Sequence, residues 1–112
     1  MKTELGDELR LHHIISAIEE IETYLHNITF EEFQLNSEKR FATIKQLEII
    51  GEACNHLSDT FKEKNPSIEW LSIRGFRNIS IHEYFGISFK LVWQIAQKDI
   101  PILKQQFLSA NR

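Results

Sequence analysis

Between Ile73 and Gly86 the chain gathers an arginine, an asparagine, a histidine and a tyrosine within eight residues: Arg77, Asn78, His82 and Tyr84. They supply a permanent cation, an amide, an imidazole that titrates near neutral pH and a phenol. These are parts suited to handling phosphate. Metal-free displacement at a phosphodiester needs a base for the attacking hydroxyl, a cation for the charge that gathers on phosphorus, and an acid for the departing oxygen. His82, an imidazole with an ordinary value near 6.5, can be the base or the acid. Arg77 can grip phosphate oxygens through two parallel hydrogen bonds, Asn78 can orient either partner, and Tyr84 can donate a hydrogen bond. One histidine does not easily serve as both acid and base, which favours a site shared between two copies of the chain.

The spacing constrains where these groups sit. Five residues on a regular helix turn through about 500°, so Arg77 and His82 would point roughly 140° apart. Either the helix ends near Ile79 to Ile81, or the two side chains meet partners across a subunit boundary. Both arrangements place the pair at the rim of a cleft. A plainer reading also fits: His82 interacts with the last carbonyls of a helix, Tyr84 packs against its end, and Gly86 stops it.

The run Arg77-Asn78-Ile79-Ser80-Ile81-His82-Glu83-Tyr84-Phe85, with Gly75-Phe76 before it and Trp93 after it, resembles the signature of HEPN domains of the HepT-like type. The resemblance extends over most of the chain, through Leu11-His12-His13-Ile14, Ile49-Ile50-Gly51-Glu52-Ala53, Trp70, Val92-Trp93 and Lys98-Asp99-Ile100-Pro101. It implies a small all-helical ribonuclease, the toxin of a type VII toxin–antitoxin pair, dimeric with its motifs facing a common cleft. It implies Arg77 and His82 as catalytic residues, Asn78 in support, and Glu52 near the cleft. It also implies an MntA-type nucleotidyltransferase antitoxin that adenylylates Tyr84. An added anion two residues from His82 would obstruct RNA and repel phosphate, as in a phosphorylation switch.

Composition agrees with a small folded domain. The 112 residues, 42% hydrophobic and 26% charged, make one globular unit covering 1–112. The formal charge of −3 argues against coating nucleic acid through a general basic field, although it allows a local basic pocket. Cys54 is the only cysteine, so no disulfide forms within one chain and a reducing cytoplasm fits. No signal-peptide core or membrane-length apolar run is visible, and no metal or cofactor is expected.

Amphipathic helices must position the cluster. Leu11, Ile14, Ile15, Ile18, Ile21 and Leu25 recur at three- and four-residue steps and predict a helix over about Asp7 to His26. His12 and His13 beside that stripe are read as partly exposed helix residues. Thr29 and Glu32 have the spacing of a capping box for a short helix from Phe30 to Leu35. Phe41, Ile44, Leu47, Ile50, Cys54 and Leu57 mark a second long helix from Ser37 to Leu57. Gly51 inside it costs about 1 kcal/mol of helix propensity relative to alanine, which points to a close helix–helix approach.

Ser58 to Asn65 reads as a short helix or turn, and Pro66-Ser67 prepares a third core helix on Trp70, Leu71, Ile73, Phe76 and Ile79. After Gly86, Ser88 can cap a last helix packed through Leu91, Val92, Ile95, Ile100, Leu103 and Phe107, bent near Lys98 by Pro101. The expected architecture is an all-α antiparallel bundle of four or five helices, dimeric. Two other functions fit the same residues: a non-catalytic helical dimer that binds a nucleotidyltransferase, and a module that holds a nucleotide or phosphate through Arg77 and His82 without cleaving it.

Overall fold

The computed structural model describes residues 4–79 and 89–111, and every element among them is helical. His82, Tyr84, Gly86 and Ser88 lie outside the described residues. Helix α1 spans Glu4–Tyr24, α2 Phe30–Leu35 and α3 Ser37–Asn55; α4 spans Asp59–Lys64, and α5 spans Trp70–Arg74. A 3-10 turn over Gly75–Asn78 continues α5, and after the undescribed segment come α6 (Phe89–Gln94), a π turn (Ile95–Asp99) and α7 (Ile100–Leu108). The all-α expectation holds.

Local chemistry sets the boundaries. Thr29 and Glu32 form the expected capping box: the Thr29 backbone donates to Glu32 Oε1 at 3.0 Å and the Glu32 backbone to Thr29 Oγ1 at 3.1 Å. Helix α3 begins at Ser37 as expected and is capped by Asn36, whose Oδ1 accepts from the Lys39 backbone at 3.0 Å. Pro101 has no N–H to donate to the carbonyl four residues back, so the last helix widens into a π turn that contains Lys98. The disturbance expected near Lys98 takes that form.

The core is one hydrocarbon cluster with α3 at its centre. Ile14, Ile18 and Ile21 of α1 meet Ile44, Leu47 and Ile50 of α3, and Ile73, Val92, Ile100 and Phe107 complete the interior. Each such side chain contributes about 1.5–3 kcal/mol by leaving water. The broadest contact joins α1 to α3, and the next joins α3 to the 3-10 turn carrying Arg77. Trp93 lies against Phe30 and Phe33 at centroid distances of 6.0 and 5.2 Å, which fastens α2 to α6. Trp70 meets Phe61 and Phe107 edge-on at 6.1 and 6.0 Å and so joins α4, α5 and α7.

Three residues expected in the core are exposed: Phe41 at 56%, Leu71 at 79% and Leu91 at 41%. Leu71 precedes Ile73 by two positions, roughly 200° around a helix, so burying Ile73 turns Leu71 outward. Leu91 sits about 100° from the buried Val92. In α3 the buried stripe passes through Thr43 and Ile44, and Phe41 turns to the surface beside the Arg40 guanidinium, 5.9 Å from its ring centroid.

Two polar contacts tie distant elements together. Buried Asp7 of α1 accepts from the Ser58 backbone at 2.8 Å and from its hydroxyl at 2.6 Å, while Ser58 Oγ caps α4 by accepting from the Phe61 backbone at 3.1 Å. Asn65 pairs its amide with the Asn111 backbone, donating at 2.8 Å and accepting at 2.8 Å, which holds the chain end against α4. No helix among the described residues is long and apolar enough to cross a membrane.

Candidate active site

The site begins with a missing side chain. A Cβ built on Gly51 would lie 2.9 Å from both Cγ and the backbone nitrogen of Arg77 and 3.1 Å from the Ile73 carbonyl oxygen. Only glycine lets the α5 segment and its 3-10 turn settle this closely on α3. The close approach expected at Gly51 is therefore present, and it seats the backbone of Arg77.

The next residue of α3 uses that proximity. Glu52 Oε2 lies 2.8 Å from Arg77 Nε, and Glu52 Oε1 lies 2.9 Å from Nε2 of His56 one turn further on. Both Glu52 oxygens are thus engaged. The His56 hydrogen bond holds the Glu52 carboxyl below its ordinary value of 4.5; desolvation is the next largest effect and opposes the shift, and the Arg77 charge adds to it. It remains a carboxylate at neutral pH.

All three side chains are partly open to solvent, with exposures of 52% for Glu52, 40% for Arg77 and 45% for His56. Arg77 and Glu52, with Asn78, Lys45, Glu48 and Ile49, line an open depression of about 350 Å³. Arg77 meets the carboxylate through Nε, so its outer pair of nitrogens is not used in that contact. A guanidinium held from behind in this way can present a planar two-pronged donor to an anion.

Of the residues singled out in the sequence, Arg77, Asn78 and Glu52 come together in this depression, and Arg77 touches Glu52. His56 was missed. Its signal was available in the Glu52-x-x-x-His56 spacing, which places carboxylate and imidazole on one helical face. Cys54 is buried, and burial pushes its thiol up to about 12, so it is a core residue and not a nucleophile. Among the described residues no group of three or more His, Cys, Asp or Glu side chains is arranged to hold a metal ion.

Comparison with known proteins gives the family. Residues 14–110 match the family model described as ribonuclease HepT-like. The chain is 40% identical over 97 residues to "Probable ribonuclease HepT" of Thermococcus cleftensis, covering 87% of this chain and 88% of that one. It is 38% identical over 96 residues to "Putative RNase MJ1380" of Methanocaldococcus jannaschii, covering 86% and 88% of the two chains. In the same organism "Gamma-glutamylcyclotransferase and putative RNase MJ0434" is 39% identical over 101 residues, 90% of this chain but 46% of the longer protein. No solved structure gives a significant match. Matched by this model over residues 14–110 and by relatives of 38–40% identity, the chain belongs to the ribonuclease HepT-like family.

Proposed function

We propose that this chain is a metal-independent endoribonuclease, the toxin of a type VII toxin–antitoxin pair, acting in the cytoplasm on single-stranded RNA. The observation that carries the reading is the Glu52–Arg77 pair, seated by Gly51 in an open depression, in a chain of a ribonuclease family. Glu52 holds Arg77 by Nε, and the outer nitrogens bind the phosphate whose charge increases in the transition state. His82 acts as base on the 2′-hydroxyl: O2′ bonds to phosphorus, the bond from phosphorus to O5′ breaks, and O5′ takes up a proton. Asn78 orients the phosphate. A homodimer supplies a second copy of the motif across a common cleft, so that one His82 is base and the other acid. An MntA-like nucleotidyltransferase antitoxin silences the site by adenylylating Tyr84.

The test is cleavage of unpaired RNA by the purified full chain in chelator. The expected result is cutting that Arg77→Ala and His82→Ala each nearly abolish with helical content intact. Activity that chelator abolishes and magnesium or manganese restores would refute the metal-free mechanism. After co-expression with a nucleotidyltransferase partner, mass spectrometry should find adenylyl groups on the peptide with Tyr84 and none on Tyr84→Phe.

A further inference from the structure

A second cavity lies where α3, α4 and α5 meet. It has a volume of about 210 Å³ and is lined by Cys54 and Asn55 of α3, Lys62 of α4, and Trp70, Leu71 and Arg74 of α5. At liquid density this is roughly seven waters, enough for one planar ring system and too small for a duplex. We propose that it binds one nucleotide of the RNA strand, next to the phosphate held at Arg77. The identity of the ligand as RNA rests on the ribonuclease reading; the shape and charge of the cavity do not.

Its chemistry is that of a single nucleotide. Arg74 and Lys62 put two cations on the wall, Lys62 with its Nζ 6.0 Å from the Trp70 ring centroid. Among the described residues no carboxylate pairs with Arg74, in contrast to Arg77. Leu71, 79% exposed at the rim, and half-buried Trp70 offer the apolar surface on which a base can lie. Asn55 carries both a donor and an acceptor, the pair needed to meet the edge of a base. Cys54 closes the floor as a buried, protonated thiol and adds no charge.

Its position matches a strand running past Arg77. Arg74 precedes Arg77 by three residues on one continuous helical segment, an advance of about 4.5 to 6 Å, the scale of one step along a single strand. Asn55 follows Glu52 by three residues on α3, so the opposite wall advances in step. Two phosphates can therefore sit at Arg77 and Arg74, with the intervening base in the cavity.

The experiment measures binding of the full chain to a ten-nucleotide 2′-O-methyl single strand, which has no free 2′-hydroxyl and cannot be cut, over a range of salt. Arg74→Ala should weaken binding about tenfold and lower the slope of log Kd against log salt by about 0.7, one phosphate contact on a single strand. Leu71→Ser should weaken binding by a similar factor and leave the slope unchanged. Lys98→Ala, an exposed charge on the π turn, should change neither and so controls for net charge. Unchanged affinity and slope in Arg74→Ala, or a loss matched by Lys98→Ala, would overturn the subsite. Because no bond is broken, a chain that binds in this pattern but never cuts RNA would keep the subsite and refute the ribonuclease reading. A chain that cuts RNA while Arg74→Ala and Leu71→Ser bind like the parent would do the reverse.

Discussion

Helix α3 has two working faces, and they are built on opposite principles. Towards α1 it presents Ile44, Leu47 and Ile50, each at most 3% exposed, in a hydrocarbon seam. Towards the 3-10 turn it presents Gly51 and Glu52, a bare backbone and a charge half in water. The first seam is stabilised by the area it removes from solvent, and tolerates modest reshaping because hydrophobic contact has no direction. The second depends on position: a backbone nitrogen sits 2.9 Å from where a Cβ on Gly51 would be, and a carboxylate reaches one nitrogen of a guanidinium. The hydrocarbon seam and the proposed site thus lie on two sides of one helix.

Substitutions can break that division. The largest stability loss should come from the hydrocarbon seam: Ile18→Ala should cost about 2–5 kcal/mol in denaturant unfolding. RNA cleavage per folded molecule should stay near the parent value, and a matching loss would mean the two faces are not separable. Gly51→Ala should cost less stability, about 1–3 kcal/mol for overpacking against Arg77 and Ile73, but should abolish most cleavage because the displaced atoms carry Arg77.

Glu52→Gln should be nearly silent in stability, since the carboxylate is half exposed, and should lower cleavage by slackening the hold on Arg77. Its pH behaviour follows from sign. The Glu52 carboxyl is held below 4.5 in the folded chain, so its contribution is complete above the ordinary glutamate range and is lost as pH falls through the lower folded value. The parent should lose RNA affinity on that acid limb beyond what Glu52→Gln loses; identical acid limbs would mean that Glu52 does not support the site.

The smallest effect sharpens the comparison of the two glycines. A Cβ on Gly75 meets nothing within 4 Å, and its backbone has an ordinary helical φ of −62°. Gly75→Ala should therefore raise stability by about 0.4–1 kcal/mol, through a less free unfolded chain, and leave cleavage intact. Two glycines 24 residues apart in sequence would then differ in sign, which thermal unfolding of both variants measures directly.

Much of this was legible in the residues. The α1 stripe, the capping box at Thr29 and Glu32, the second long helix and the all-α class all follow from local periodicity and capping, which involve neighbours within one or two turns. Gly51 announced a close approach because a helix interior accepts glycine only at a cost. Tertiary structure alone decided what approaches it, since the contact of Gly51 with Arg77 joins residues far apart in sequence. It also decided that Phe41, Leu71 and Leu91 face outward, because a stripe of apolar residues wider than its neighbours can cover leaves its edge in water. The double engagement of Glu52 was half local and half not. Its hold on His56 is a one-turn helix pair readable from spacing, whereas its hold on Arg77 exists only because the backbone of one helix rests where another has no side chain.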